Sequence, residues 1–434
     1  MKKHIIATLV AAATLSSAQA ESLLEVYQLA KANDPTLRAA QAQYRAQEEQ
    51  VTVTRGNLFP SISFQGNLGY SNTDTGSNSY DVTNNSLGVQ MNYPIYSAAL
   101  DYGVKAVELG LDAQKVQLDN AQETLTLATL EEYFDVLIKQ AALENVTAQV
   151  KSTQSQLDRV KNQYDVGMVS ITDLQDAQAA YDAIRVSELS ARADLRYAQE
   201  TLNQRVGKAI TSIPKLADNY PISTENLAST DELIQKALRN NKDLLGANYQ
   251  VTIANNNVDI SKASGRTPTV TLTGGITRAE TMDSNNPQSP EGDALQTSIG
   301  VNVTIPLYSG GAIDANVRQA TATANAAEEQ YAAAVQQIEL GIRNLVAQLN
   351  TTAAQVTAQK QLIKSRESAL EATQAGYDVG TRNLVELLTA QSNLFDAKTT
   401  YEQLRYRFVV TKLNLMELTG ELNDAAVADL NKWL

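Results

Sequence analysis

An internal duplication constrains this chain more than any local motif does. Lys31, Asn33, Leu37 and Pro60 recur 208 residues later as Arg239, Asn241, Leu245 and Pro268. Pro94-Ile95-Tyr96-Ser97 recurs at an offset of 212 as Pro306-Leu307-Tyr308-Ser309, and Tyr164-Asp165-Val166-Gly167 at 213 as Tyr377-Asp378-Val379-Gly380. Leu174, Leu202 and Gly207 follow at that same offset as Leu387, Leu415 and Gly420. A self-similarity of this kind marks one structural unit used twice, and it has to be recognised before any local assignment is made. The expected organisation is a leader over 1–20, a first repeat over 21–217 and a second over 218–434, with Pro214 and Pro221 in the turn-rich link between them. Each repeat is expected to carry a β-hairpin (about 61–96 and about 268–308) followed by a helical hairpin (about 97–208 and about 309–420).

The period of the apolar residues separates the two kinds of element. From Ile313 the seam runs through Val317, Ala320, Ala324, Ala327, Tyr331, Ala334, Ile338, Gly341, Leu345, Leu349, Thr352, Val356, Gln359, Ile363, Arg366, Leu370 and Thr373 to Tyr377, with Gln359 and Arg366 as polar intrusions. Its spacings alternate between 4 and 3 apart from one repeated 4 at Leu345, a coiled-coil pattern with a phase shift. The first half shows the same seam in shorter stretches, including Leu100, Val104, Val107 and Leu111, then Leu157, Val160 and Tyr164. A helix over about 97–164 is ~100 Å long at ~1.5 Å per residue, far longer than a globular core requires. Gly167 and Gly380 suit the left-handed position that closes a helix, and a returning helix follows each of them. The strand period is two. Ile62, Phe64, Leu68 and Tyr70 alternate with Ser61, Ser63, Gln65 and Asn67, while Leu295, Ile299, Val301 and Val303 alternate with Gln296, Ser298 and Asn302. Apolar residues on one face and neutral polar ones on the other match the lipid and lumen faces of a membrane barrel, and they equally match a half-buried hairpin of a soluble domain.

Composition removes most chemistry. The 434 residues hold no Cys, a single His and a net charge of -13. The balance is too acidic for a nucleic-acid binder, which needs a basic face to displace counterions. Lys2 and Lys3, the apolar run from Ile5 to Leu15 and Ala18-Gln19-Ala20 fit a secretory leader, which would carry off His4, the one histidine. Without His or Cys, thiolate chemistry, cysteine-ligated zinc and every His-based triad are excluded, so neither an enzyme nor a cofactor is expected. No run of ~18 apolar residues follows the leader, and a membrane crossing by this chain therefore has to use β-strands in a closed barrel. Four strands cannot close, since ~8 make the smallest common barrel; two copies give eight strands and a filled interior, three give twelve and a passage.

The duplication, the order of elements, the paired Tyr-Asp-Val-Gly turns and the Pro-Ile-Tyr-Ser and Pro-Leu-Tyr-Ser junctions resemble the TolC family of outer-membrane efflux proteins over about residues 22–423. The fold this resemblance implies is mainly α with a β-barrel portion: a long antiparallel coiled-coil α-barrel joined to a transmembrane β-barrel with four strands per chain. It further implies a homotrimer in outer-membrane lipid that extends into the periplasm. Such a trimer exports small molecules and/or proteins, working with a periplasmic adaptor and an inner-membrane pump or ABC exporter. The alternative is a structural periplasmic coiled-coil scaffold.

Function is expected at the two turns. Ser170-Ile171-Thr172-Asp173 and Asn383-Leu384-Val385-Glu386 both have the cap-x-x-acid pattern of a helix start, so Asp173 and Glu386 read as capping acids. The resemblance adds a second role. It places an inter-helix gate on Thr172, Asp173, Tyr377 and Arg382, with Tyr377 donating to Asp173 and Arg382 pairing with Asp173 or Thr172. It places a pore constriction at Glu386, where the lack of charge on Thr389 leaves one acidic layer and a weak cation preference. It also makes Val166, Gly167, Val379 and Gly380 adaptor-docking tips, a role that stands beside simple helix termination.

Overall fold

The computed structural model describes residues 22–210 and 212–434; the expected leader over 1–20 lies outside them. The chain runs α1 (Leu23–Asn33), α2 (Pro35–Gly56), β1 (Ser61–Asp74), β2 (Ser79–Ser97), α3 (Ala98–Asp165) and α4 (Ile171–Val206). It then repeats the order as α5 (Thr230–Asn240), α6 (Lys242–Arg266), β3 (Thr269–Ser284), β4 (Gly292–Thr304), α7 (Ala312–Asp378) and α8 (Leu384–Leu418), and ends in α9 (Asp424–Asn431). No described helix is long and apolar enough to cross a membrane.

The long helices are 68 residues in α3 and 67 in α7. Along α7 every third or fourth residue, following the seam, is turned inward, with Ala324, Ile338, Leu349 and Val356 buried among more exposed neighbours. Where two spacings of four follow one another, Ile342 joins the seam at 0% exposure, as the phase shift requires. The short helices α1, α2, α5 and α6 are delimited by local chemistry. Ser22 and Glu25 form a capping box at α1, and Ser229 and Glu232 another at α5. Pro35 opens α2, where its missing N–H costs nothing, and Asp34 accepts from the Leu37 N–H at 2.9 Å.

Two compact units combine segments of both halves. The first comprises residues up to Arg38, Asn120–Asn241 and Gln337–Leu434. Its centre is aromatic: Tyr133 and Phe134 of α3 meet edge-on at 5.8 Å between centroids, and Phe134 meets Tyr406 of α8 at 6.1 Å. Arg405, 3% exposed, ties the link between the halves to α8 through the Ala217 carbonyl at 2.7 Å and the Glu402 carboxylate at 3.0 Å. Burial raises the Glu402 carboxyl above its ordinary value, and the Arg405 charge works against that rise.

The second unit comprises Ala39–Asp119 and Lys242–Gln336 and contains the sheet. Ala254 and Val258 of α6 pack on Ala324 of α7. At Gly265 a Cβ would lie 2.3 Å from the Ile313 side chain, so this position admits only glycine without displacement. The sheet is antiparallel with order β1-β2-β3-β4. Its register carries the alternation across all four strands: Ile62 faces Met91, which faces Gly274, which faces Ile299, and Phe64, Val89, Ile276 and Thr297 form the next row. The rows between them are polar, as in Ser63, Gln90, Gly275 and Ser298. One face is therefore mainly apolar, interrupted by Thr297 and, in the row of Leu87 and Leu295, by Arg278, and it is exposed, with Phe64 at 72% and Ile299 at 82%. The repeats differ at their prolines. Pro94 sits within β2 at a register shift, whereas β4 stops at Thr304, before Pro306, although the apolar alternation continues to Leu307.

Candidate functional site

The two turns joining the long helices to their returning partners are built alike. In the first, Gly167 takes φ 75° and the Met168 N–H closes on the Gln163 carbonyl at 2.8 Å. In the second, Gly380 takes φ 78° and the Thr381 N–H closes on the Gly376 carbonyl at 2.8 Å. These are helix C-termini satisfied by a left-handed glycine. Val166 and Val379, just before each glycine, stand 70% and 75% exposed, so each turn presents one valine.

Each returning helix is capped at its start, with the following acid taking part in the first. Asp173 accepts from the Ser170 N–H at 3.0 Å and its hydroxyl at 2.6 Å, while Ser170 Oγ accepts from the Asp173 N–H at 3.1 Å. Thr172 Oγ1 lies 2.5 Å from Ser170 Oγ. In the second turn Asn383 accepts from the Glu386 N–H at 2.8 Å and donates to its carboxylate at 3.0 Å. The capping role expected of Asp173 is thus present, whereas at α8 Asn383 alone caps the helix and the Glu386 carboxylate takes the Asn383 side-chain amide instead of its backbone N–H.

The two hairpin ends share one core. Leu157, Val160, Ala177 and Leu384 are buried together, with Leu174, Tyr181, Tyr377 and Leu388 packed around them. Within the chain the residues expected to form a gate take partners other than those expected. Tyr377 donates to Gln163 at 3.4 Å, and Arg382 donates to Glu386 at 2.9 Å. Asp173 acts on Tyr377 through its field: burial first, and the Asp173 charge second, raise the Tyr377 hydroxyl above its ordinary value. Arg159, whose charge lowers it, forms an ion pair with Asp378 at 3.7 Å. Gln163 and Arg159 had no place among the expected site residues. Their signal is the four-residue spacing that puts both on one face at the end of α3, opposite Tyr377 and Asp378. Farther along, Gln391 of α8 bonds Ser152 of α3, and Gln359 of α7 donates to the Ala397 carbonyl at 2.9 Å. The described residues contain no group of His, Cys, Asp and Glu able to hold a metal.

Comparison with known proteins agrees with this geometry. The sequence pattern of the outer membrane efflux protein family matches residues 26–208 and 233–421, one match to each repeat. The outer membrane protein TolC of Vibrio cholerae is 32% identical over an alignment covering 100% of this chain and 99% of that protein. The proteases secretion protein PrtF of Dickeya chrysanthemi is 26% identical, covering 100% and 95%. In fold, the crystal structure of the Campylobacter jejuni CmeC outer membrane channel superposes with a TM-score of 0.78 at 18% identity, covering 95% of this chain and 90% of that one. The soluble scaffold, the competing expectation, is set aside by these matches. This chain belongs to the outer membrane efflux protein family and is an outer-membrane channel protein, not an enzyme.

Proposed function

We propose that three copies of the chain form one conduit for export across the outer membrane, continuing into the periplasm and closed at its inner end by the paired turns. The observation that carries this reading is the sheet. Its register gathers the apolar residues of all four strands on one face, and its outer strands, β1 and β4, each keep one edge unpaired within the described chain. Open strand edges are not tolerated in lipid. Placing β1 of one copy beside β4 of the next preserves the antiparallel alternation, and twelve strands leave a passage where eight would be filled.

At the inner end, Thr172, Asp173, Tyr377 and Arg382 act as the gate and Glu386 lines the constriction. Of the Arg382 guanidinium, only Nη1 is engaged within the described chain, which leaves its other N–H groups to meet Thr172 or Asp173 of a neighbouring copy. Exposed pairs of this kind are worth ~0.2–1 kcal/mol each, which suits a latch that a partner opens. The exposed Val166 and Val379 beside Gly167 and Gly380 dock a periplasmic adaptor, which couples the conduit to an inner-membrane pump or ABC exporter. The cargo class is small molecules and/or proteins; the similarity to PrtF, named for protease secretion, favours including proteins.

The purified protein in planar lipid bilayers is expected to give small single-channel conductances, and Tyr377→Phe with Arg382→Ser to raise them several-fold. Conductance unchanged by the double substitution would contradict the gate.

A further inference from the structure

The sheet and its junctions hold a single cation. From Gly56 to Val104 and from Thr267 to Val317 the one basic residue is Arg278, whereas acids recur at Asp74, Asp81, Glu280, Asp283, Glu291 and Asp293. Those acids lie toward the hairpin tips. Arg278 stands on the mainly apolar face, between Leu87 and Leu295 in one row. A charge facing lipid is costly at mid-depth and nearly free at the interface, so depth decides what such an arginine does.

Its depth follows from the strand beside it. The apolar alternation of β4 and the residues after it runs from Leu295 to Leu307, a step of twelve residues. At ~3.3 Å per residue and a tilt of ~40° that step covers ~30 Å of height, enough for an apolar band ~25 Å tall. Arg278, paired with Leu295, is therefore at the outer edge of the band. The next row outward, Leu68, Asn85, Glu280 and Asp293, is polar on three of its four strands. On β1 the last apolar residue of this face is Tyr70, whose hydroxyl donates to Asp81 at 2.6 Å, as suits an aromatic at the headgroup level.

Within the described chain the guanidinium is lightly held. Nη2 lies 3.5 Å from Asp293 Oδ2, and both side chains are 65% exposed, which makes a weak pair. Glu280, next on the same face, accepts instead from Asn85 at 3.4 Å. The remaining N–H groups of Arg278 form a fork that matches the oxygens of a phosphate. We propose that Arg278 binds a phosphate of an outer-leaflet lipid and that this contact sets the depth of the sheet in the membrane. This rests on the conduit reading above, in which the apolar face meets lipid.

The test uses the full-length protein with Leu295→Cys, a position whose label stands beside Arg278; the chain has no other cysteine. The labelled protein is placed in vesicles of brominated phosphatidylcholine, with or without unbrominated lipid A as the phosphate-bearing lipid. Divalent cations are left out so that carboxylates and phosphates are not bridged. Bromine quenches the fluorophore, and lipid A relieves the quenching according to its occupancy there. Lipid A is expected to be enriched roughly fivefold over its share of the bilayer. Arg278→Gln should abolish the enrichment, and Arg278→Lys, which keeps the charge without the fork, should leave part of it. Dephosphorylated lipid A should show none. Quenching without enrichment in the unmodified protein, enrichment unchanged by Arg278→Gln, or equal enrichment of the dephosphorylated lipid would each overturn the phosphate contact while leaving the conduit intact. No quenching by brominated lipid at all would overturn the conduit reading as well.

Discussion

Asn33 and Asn241 perform one task in the two repeats. Each donates its side-chain amide to a carbonyl in the last turn of the returning helix, Val206 at 2.8 Å and Leu418 at 3.1 Å. There Gly207 and Gly420 end the helices in the left-handed conformation. A second residue-scale contact fastens the chain's two ends: Tyr27 of α1 donates to Asp424 of α9 at 2.6 Å, with Lys31 3.3 Å from the same carboxylate. The Tyr27 hydrogen bond, with Lys31 adding to it, holds the Asp424 carboxyl below its ordinary value. A depressed carboxyl stabilises the fold above its unfolded value, near 3.9, and that contribution disappears as pH falls through the depressed one. Thermal denaturation followed between pH 7 and pH 2 should therefore show Tyr27→Phe to be destabilising at neutral pH, with the difference shrinking in acid; a pH-independent difference would contradict it. The glycine turns and the capping acid Asp173 were legible as residues because their partners lie within five positions. Gln163 and Arg159 were not, because they act on Tyr377 and Asp378, more than 200 positions away.

Elements were legible where their period was long or clean. The seam of α7 and the alternation of the strands were read directly, while α1, α2, α5, α6 and α9 went unread. The segment Asn248-Tyr249-Gln250-Val251-Thr252-Ile253 and the three asparagines Asn255 to Asn257 are poor helix formers, yet lie within α6. Tertiary contacts hold that helix, Asn256 donating to the Tyr102 carbonyl at 2.9 Å and Gly265 admitting Ile313. In the sheet, the choice of face is the element-scale statement that a substitution tests. Val301 is on the apolar face opposite Leu272, and Ser298 on the polar face opposite Gly275. Val301→Arg is expected to destabilise the membrane-inserted protein by ~2–4 kcal/mol, as for a charge at mid-depth facing lipid. Ser298→Arg should be tolerated and shift ion selectivity toward anions. Urea titration of refolded protein in lipid vesicles measures the difference, and equal losses for both variants would contradict the assignment of faces.

For the whole molecule, duplication and closure are the two facts that matter. Each compact unit draws on both repeats, so neither repeat is a unit by itself, and the two hairpins meet in one sheet through β2 and β3. The sheet of the single chain is open at β1 and β4, and in the proposed trimer the strands that complete it belong to other copies. That is also why the oligomer number was not legible in the sequence: the interior of a barrel depends on how many chains contribute strands. The described residues include no cysteine, which makes the edge pairing directly accessible. Cysteines are placed pairwise on the polar face, one at Ser61, Ser63 or Gln65 of β1 and one at Ser298 or Asn302 of β4, and oxidised in isolated outer membranes. The pair brought within disulfide reach, with Cα atoms ~4.4–6.8 Å apart, is expected to yield a covalent species of three chains that reduction returns to one. A product ending at two chains, or monomers from every pair, would contradict closure by three copies.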